Sequence, residues 1–385
     1  MLRFIHTADW QIGRVFSQFE EDDAEALAAE RFAVIERIAA QATQWQADAV
    51  LVAGDVFDAQ GIRDKTIHRM FLAMAGFTGP WVMISGNHDA ALAESVWARA
   101  RRLGAVPANV TLALAPEPVI LEGKCAILPA PLTQRHTYND LTDWFGQAQT
   151  PAGLPRIGLA HGSVQGVLAE DIDATNPIAA DRVQSGRLDY LAMGDWHGMR
   201  CIDERCWYSG TPEQDRFRDN DAGHALLVEI TAAGARPQVQ PWRSGNYRWV
   251  SLDLALHGES DADQALNAIG ALGAEHVAQV SVSGTVDLLG HERLRQASRL
   301  AGARTRALLW DDTALRLEPT DEDLAALRAD GYVGETLRQL REAQLAADAG
   351  QAELARGALL ELARILEAGR GRDEAPQAAQ PAREA

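Results

Sequence analysis

The stretch Leu51-Val52-Ala53-Gly54-Asp55-Val56-Phe57-Asp58 decides how the rest of the chain is read. The apolar run from Val50 to Ala53 has the unbroken hydrophobicity of a parallel strand buried on both faces, and a glycine and a carboxylate follow it directly. Asp55 therefore stands at the carboxyl end of a strand, the edge of an open α/β sheet where ligands bind. One Gly-Asp after a strand says little by itself. Other predicted strand ends also finish in groups able to hold a metal: Asp9 with Gln11, Asn87 with His88 and Asp89, then His161, and Asp195 with His197.

Outward from that stretch, strand and helix patterns alternate. Strand Leu2 to Ile5 precedes a helical stripe from about Asp22 to Gln46, and a helix from about Asp64 to Gly76 separates the Val50 strand from Trp81 to Ile84. A further helix runs to about Arg102. These βαβ units predict a mainly parallel sheet with right-handed crossovers. Beyond Ala105 come short strands at Val110 to Leu114, Val119 to Leu121, Cys125 to Leu128, Arg156 to Leu159 and Tyr190 to Ala192, with a short helix near Asp140. Trp207 to Pro212 and Ala225 to Ile230 read as closing strands of a second sheet. Two sheets face to face with helices outside would bury all these runs. The composition loosens near Gln240 to Gly245, and strands and helices then alternate on a smaller scale as far as Leu317. From Thr320, which with Asp323 resembles a capping box, the pattern is helical: about Glu322 to Ala329, then Thr336 to Leu366 with an apolar stripe. The last residues, from about 369, have no pattern and the composition of a disordered tail.

Composition sets the outer bounds. The chain has 385 residues, 47% of them hydrophobic, which suits a globular catalytic core with accessory units. No apolar run approaches the roughly 20 residues a membrane-crossing helix needs. The start of the chain enters a strand with no signal-peptide core, so a cytoplasmic protein without a membrane segment is expected. Three scattered cysteines, Cys125, Cys201 and Cys206, argue against a disulfide framework, and no second cysteine pair completes a metal knuckle with the last two. The formal net charge of −18 repels any polyanion at long range unless cations, a local arginine cluster or a partner reverses the field. No Gly-x-x-x-x-Gly-Lys-Ser/Thr loop occurs, so the chain is not expected to hydrolyse ATP.

Singly, each strand-end group has a plain reading: Asp9 could cap a helix, and His161 could be a satisfied core histidine. Together they form the ligand set of a dinuclear site, whose ions clamp the attacking and leaving oxygens of a phosphate ester. The motifs, in order, resemble the calcineurin-like metallophosphoesterase superfamily, whose blocks run Asp-x-His, Gly-Asp-x-x-Asp, Gly-Asn-His-Asp/Glu, His and Gly-His-x-His. Within it, His6-Thr7-Ala8-Asp9-Trp10 and Tyr208-Ser209-Gly210-Thr211-Pro212 are similar to the bacterial SbcD-type DNA repair exonucleases. The similarity has specific motifs over roughly the first 230 residues, and beyond them it rests on layout alone.

That resemblance implies a two-sheet metallophosphoesterase sandwich flanked by helices over residues 1–243. A small α/β cap over 246–319, a helical partner-docking segment over 320–368 and a tail over 369–385 would follow. It implies two divalent ions, manganese or else magnesium, with Asp9, Gln11, Asp55 and His197 on one and Asp55, Asn87, His161 and Asp195 on the other. His88 would contact the scissile phosphate and assist the leaving group, Asp89 would hold its ring from behind, and Asp58 would orient ligands without touching metal. Two positions depart from the pattern: Gln11 and Asp195 stand where the family has histidine. A neutral amide oxygen weakens the first site, a carboxylate tightens the second, and oxygen-rich ligation favours manganese or magnesium over zinc. The implied function is a metal-dependent DNA exonuclease with single-strand endonuclease activity, working on DNA ends in repair with a coiled-coil ATPase of SbcC type. A homodimer is also expected. Arg14, Arg63, Lys65, Arg135, Arg216 and Arg218 are candidate phosphate contacts. Two other readings stay open, a phosphodiesterase for a small nucleotide and a non-catalytic DNA-end scaffold with a degenerate metal site.

Overall fold

The N-terminal strand lies inside a sheet rather than at its edge, and the rest of the first sheet is assembled on it. The structure is a computed structural model and describes residues 1–166, 175–318, 320, 331–345 and 348–373. Strands and helices alternate as β1 (Leu2–Thr7), α1 (Glu21–Gln44), β2 (Ala49–Ala53), α2 (Asp64–Ala73), β3 (Trp81–Ile84), α3 (Val96–Arg102) and β4 (Val110–Leu112). Then come β5 (Val119–Leu121), β6 (Cys125–Ala130), β7 (Arg156–His161), β8 (Ser163–Val164) and β9 (Pro177–Ile178). A short α4 (Arg182–Ser185) leads to β10 (Tyr190–Gly194), β11 (Arg200–Asp203), β12 (Cys206–Tyr208), β13 (His224–Ile230) and β14 (Gln238–Arg243). The helix expected near Asp140 is a single 3-10 turn over Asp143–Gly146.

The first sheet has the order β14-β13-β1-β2-β3-β4 and the second β11-β12-β10-β7-β6-β5. Strands β1 to β4 are parallel, as are β6, β7, β10 and β12, so the carboxyl ends of β1, β2 and β3 share one edge and those of β7 and β10 another. The central strands β1, β2 and β3 bury both faces. Ile5, Val50, Val52, Trp81 and Met83 pack with Phe32, Ile35, Ile38, Ile67 and Met70 of α1 and α2. The opposite residues, Phe4, Leu51, Ala53 and Val82, meet Ile127, Ile157, Leu159, Tyr190 and Ala192 of the second sheet. Leu128, Leu191 and Met193 cover the far side of that sheet against Phe145 and Val183. This is the expected α/β sandwich with helices outside.

One expectation is overturned. Strand β13 does not close the second sheet; it pairs antiparallel with β1 in the first, Leu2 opposite Ile230 and His6 opposite Leu226, and β14 then pairs antiparallel with it. Where loosened composition had suggested a boundary, Gln238–Arg243 forms an edge strand, whose half-solvated backbone tolerates Pro241.

The chain divides into two units, Met1–Trp249 and Val250–Ala385. The second contains the sheet of β15 (Arg248–Leu256, from Val250 onward), β16 (His276–Val286) and β17 (Ala307–Leu317), with α5 (Glu259–Gly270) and α6 (Leu288–Arg304). Val280, Val282, Ile269, Leu294, Leu315, Leu337 and Leu359 form its core. Two helices, Tyr332–Ala343 and Ala349–Asp373, stand where one from Thr336 to Leu366 was expected, and the second runs into the stretch expected to be disordered. The helix expected over Glu322 to Ala329, the Asp323 half of the capping box and residues 374–385 lie outside the described residues. Among the described residues no helix is long and apolar enough to cross a membrane, and Cys125, Cys201 and Cys206 are free.

Candidate metal centre

The loops that leave β1 and β2 are zipped together by their backbones. Asp9 N–H donates to Gly54 O at 3.0 Å, Gln11 N–H to Asp55 O at 3.0 Å, Ile12 N–H to Val56 O at 2.8 Å and Asp58 N–H to Ile12 O at 3.0 Å. To turn out of the strands while staying paired, Asp9, Gln11 and Asp55 adopt φ values of +53°, +50° and +51°, and Asp195 one of +99°. Left-handed backbone at non-glycine residues costs roughly 1–3 kcal/mol each and persists only where the surroundings hold it. One of those holds is Arg31 of α1, wholly buried: its Nε donates to Trp10 O at 2.7 Å, Nη1 to Glu213 O at 3.0 Å and Nη2 to Thr211 Oγ1 at 2.9 Å. Glycines let the strand ends close in. A Cβ on Gly86 would stand 2.2 Å from Asp55 Oδ1, and one on Gly54, at φ +86°, would stand 2.5 Å from His161 Nδ1.

The metal residues read from the sequence converge. Among the described residues, Asp9, Asp55 and His161 offer ligand atoms that all lie within 4.8 Å of one another. His161 donates Nδ1–H to Ala53 O at 2.8 Å, which turns its Nε2 inward, 3.6 Å from Asp55 Oδ1 and 3.6 Å from Asp195 Oδ1. Asp195 N–H donates to Asp9 Oδ1 at 3.1 Å. Gln11 donates Nε2–H to Asp55 Oδ2 at 2.9 Å, and the same nitrogen lies 3.5 Å from His197 Nε2. The Asn87 amide completes the group, its Oδ1 3.0 Å from His161 Nε2.

The donor set is one a cation fits. Asp9 Oδ2 and Gln11 Oε1 are buried and accept no hydrogen bond, a costly state for a polar atom away from water. Asn87 Oδ1 lies against both Asp55 oxygens and has a donor only when His161 carries a proton on Nε2; turned over, its amide nitrogen would donate to the two Asp55 oxygens at 3.1 and 3.2 Å. Oxygens aimed at oxygens in a buried pocket are what a dication resolves. The ionisation pattern agrees. Burial, together with Asp55 and Asp195, pushes Asp9 up to about 6 in spite of His197 and His161. Burial alone would lower the His161 imidazole, yet Asp55, Asp195 and Asp9 outweigh it and carry it up to about 9. Three carboxylates in one pocket thus draw a proton onto the nearest base, and a dication would replace that proton.

One role implied by the resemblance does not survive. Asp89 does not hold the ring of His88. Its carboxylate accepts N–H groups from Val56 at 2.8 Å, Phe57 at 3.1 Å and Gly86 at 2.6 Å, so it ties the two ligand loops to each other. The ring is held instead by the Asp58 backbone carbonyl, 2.8 Å from His88 Nδ1, while the Asp58 side chain lies 3.9 Å from Arg14. Sequence reading missed Asp215. Buried to 1% exposure, it stands 3.4 Å from His197 Nδ1, 3.2 Å from Arg14 and 3.0 Å from Arg216 Nε. Burial alone would raise its carboxyl, but His197, Arg31 and Arg216 hold it well below the usual range. Of the candidate phosphate contacts, Arg14 and Arg216 are therefore engaged with Asp215, and the Arg218 guanidinium lies over the Trp196 ring at 4.8 Å. Arg63 precedes α2, Lys65 is in its first turn, and the Arg135 carbonyl accepts from Asn176.

The calcineurin-like phosphoesterase model matches residues 2–222. A curated protein of Rhodobacter capsulatus, named as the SbcD component of the nuclease SbcCD, is 34% identical over 287 residues, 62% of this chain and 69% of that protein. Its namesake from Escherichia coli K12 is 27% identical over 267 residues, 60% of this chain and 64% of that protein. The chain thus spans about two thirds of the length of the curated relatives it matches.

Proposed function

Because the chain belongs to the calcineurin-like phosphoesterase family, we propose that it hydrolyses phosphodiester bonds of DNA at strand ends, using two divalent cations, manganese before magnesium. The observation that carries this reading is the pair of buried, unpartnered oxygens, Asp9 Oδ2 and Gln11 Oε1, beside Asp55 and His161. One cation would be held by Asp9, Gln11, Asp55 and His197, the other by Asp55, Asn87, His161 and Asp195. When bound, such a pair supplies an activated water and neutralises charge on the phosphoryl oxygens.

The chain's own residues do the rest. His88 is partly exposed, and its Nδ1–H donates to the Asp58 carbonyl, so the exchangeable position is Nε2. As an imidazolium it donates from Nε2 to the departing sugar oxygen. Asp89 fixes the loops that carry Asp55 and Asn87, and Asp55 Oδ1 accepts the His88 backbone N–H at 2.9 Å, setting the distance between metal ligand and acid.

The relatives are named as one component of SbcCD, which supports a second type of chain here too, a coiled-coil ATPase of SbcC type. Exposed Leu345, Leu354 and Ile365, in and around the two last helices, suit its docking. Such a partner would bring the positive surface that a chain of net charge −18 lacks for DNA. A cytoplasmic repair role and a homodimer go with the same reading.

The test is a manganese-dependent nuclease assay on linear duplex DNA. Wild type should cut, and His88→Ala should cut about 10²–10⁴-fold more slowly with unchanged manganese affinity. Cutting by His88→Ala at the wild-type rate refutes the assignment. A wild type that takes up no manganese refutes the reading as a whole.

A further inference from the structure

We propose that Asp215 and Arg216 set the tautomer of His197 in opposite directions, Asp215 making it a metal ligand and Arg216 preventing it. Both neighbours meet the same ring atom. His197 Nδ1 lies 3.4 Å from Asp215 Oδ2 and 2.8 Å from Arg216 Nη2. The other ring nitrogen, Nε2, faces the metal centre, 3.5 Å from the Gln11 amide that also bonds Asp55.

A neutral imidazole has one N–H and one lone pair, and guanidinium can only donate. When Arg216 donates to Nδ1, the ring's proton sits on Nε2, pointing at the centre, and Nε2 has no lone pair for a cation. When Nδ1–H donates to Asp215 instead, Nε2 presents its lone pair inward. This second arrangement is the carboxylate–histidine pairing that orients metal-bound imidazoles.

The two competitors differ in freedom. Asp215 is anchored: it is 1% exposed and paired with Arg14 at 3.2 Å independently of Arg216. The Arg216 side chain is 39% exposed and grips Asp215 through Nε at 3.0 Å and Nη2 at 3.3 Å, so Nη2 can leave the ring while the Nε contact keeps the ion pair. Loading the centre therefore requires Arg216 to release Nδ1, and Asp215 is the acceptor waiting behind it. In this sense Asp215 is a positioning residue and Arg216 a built-in antagonist of metal binding.

The inference rests on His197 being a ligand, and the experiment separates the two. Manganese alone is titrated calorimetrically into wild type, His197→Ala, Asp215→Asn and Arg216→Met. The His197 tautomer is read from ring nitrogen-15 shifts in the metal-free proteins. Asp215→Asn should lose about 10–100-fold in affinity and move the proton toward Nε2. Arg216→Met should bind more tightly, by the inverse of the fraction of wild-type His197 already protonated at Nδ1, and move the proton to Nδ1. A merely structural role predicts loss in both variants and no gain in either. Should Asp215→Asn not fold, the half-exposed Arg216→Met still decides: unchanged or weaker binding overturns the proposal. If His197→Ala binds like wild type, His197 is no ligand and the proposal falls with that assignment. If His197→Ala alone binds weakly, the ligand stands and only the tautomer proposal is lost.

Discussion

The two sheets deliver their halves of the centre by different means. On the first sheet's side Asp9, Gln11 and Asp55 are at most 2% exposed, and main-chain bonds between the β1 and β2 loops hold them in place. On the second sheet's side His161 is as deeply buried and bonds the Ala53 carbonyl, but the Asp195 side chain is 29% exposed and that of His197 14%, and the latter meets the side chains of Asp215 and Arg216. Main-chain pairing, braced by the buried Arg31 side chain and the Asp89 carboxylate, fixes where a cation would sit. Side-chain construction leaves the strength of binding adjustable. The first half is a cradle and the second a set of grips.

The sharpest way to break that contrast is to damage the cradle where both halves meet. Asp55 accepts from Gln11 and from the His88 backbone while standing 3.6 Å from His161. Asp55→Asn keeps the shape and removes the charge, so turnover on DNA should fall roughly 10³-fold or more, with manganese binding largely lost. The metal-free variant should melt close to wild type, since the charge removed from beside Asp9 and Asp195 offsets the acceptor lost to Gln11 or the His88 N–H. A clear drop in melting temperature would mean that Asp55 is chiefly structural.

How much of this could be read from the sequence follows from the same contrast. The cradle was legible because a glycine followed by a polar ligand after an apolar run marks a strand end wherever it occurs, as at Gly54-Asp55 and Gly86-Asn87. The grips were not. Asp215 lies in an irregular segment with no spacing that ties it to His197, and only the packing of Arg14, Arg31 and Arg216 around it reveals its place. The resemblance sets Asp89 behind the ring of His88, whereas the tight turn sends its carboxylate to the N–H groups of Val56, Phe57 and Gly86. Strand β13 was placed in the wrong sheet for a related reason. Ala225 and Leu227 enter one core while Leu226, Val228 and Ile230 enter the other, so its run is apolar throughout and periodicity cannot say which partner it takes.

Proton competition should expose the cradle's charge without any mutation. On the proposed ligand set the binding forms would be neutral His161 and ionised Asp9, whereas in the metal-free protein their neighbours and burial carry the first up to about 9 and the second up to about 6. A cation must therefore displace the His161 proton throughout the neutral range, and below about pH 6 that of Asp9 as well. Manganese affinity should rise roughly tenfold per pH unit between pH 6 and 8 while one proton is displaced. Calorimetry in buffers of different ionisation enthalpy would count it. Affinity that stays flat over this range would mean that His161 is already neutral and that the three carboxylates do not act on it together.

The smallest effect is expected from restoring the family's histidine in the cradle. Gln11 uses its amide nitrogen on Asp55 Oδ2 and leaves Oε1, the atom that would meet a cation, without a donor. On the proposed ligand set, Gln11→His would exchange a neutral oxygen ligand for a more basic nitrogen. The position's φ of +50° does not forbid this, because histidine is among the residues that enter the left-handed region more readily than most. Manganese affinity should rise about tenfold, or about 1.4 kcal/mol, and zinc affinity by more, since imidazole is the softer donor. The ratio of the two gains is the discriminating measurement. A main-chain cradle accepts the new ring without moving Asp9 or Asp55, so both metals gain and zinc gains more. If both metals bind more weakly, Gln11 is itself one of the supports that shape the pocket, and the first sheet's side depends on side chains as much as the second.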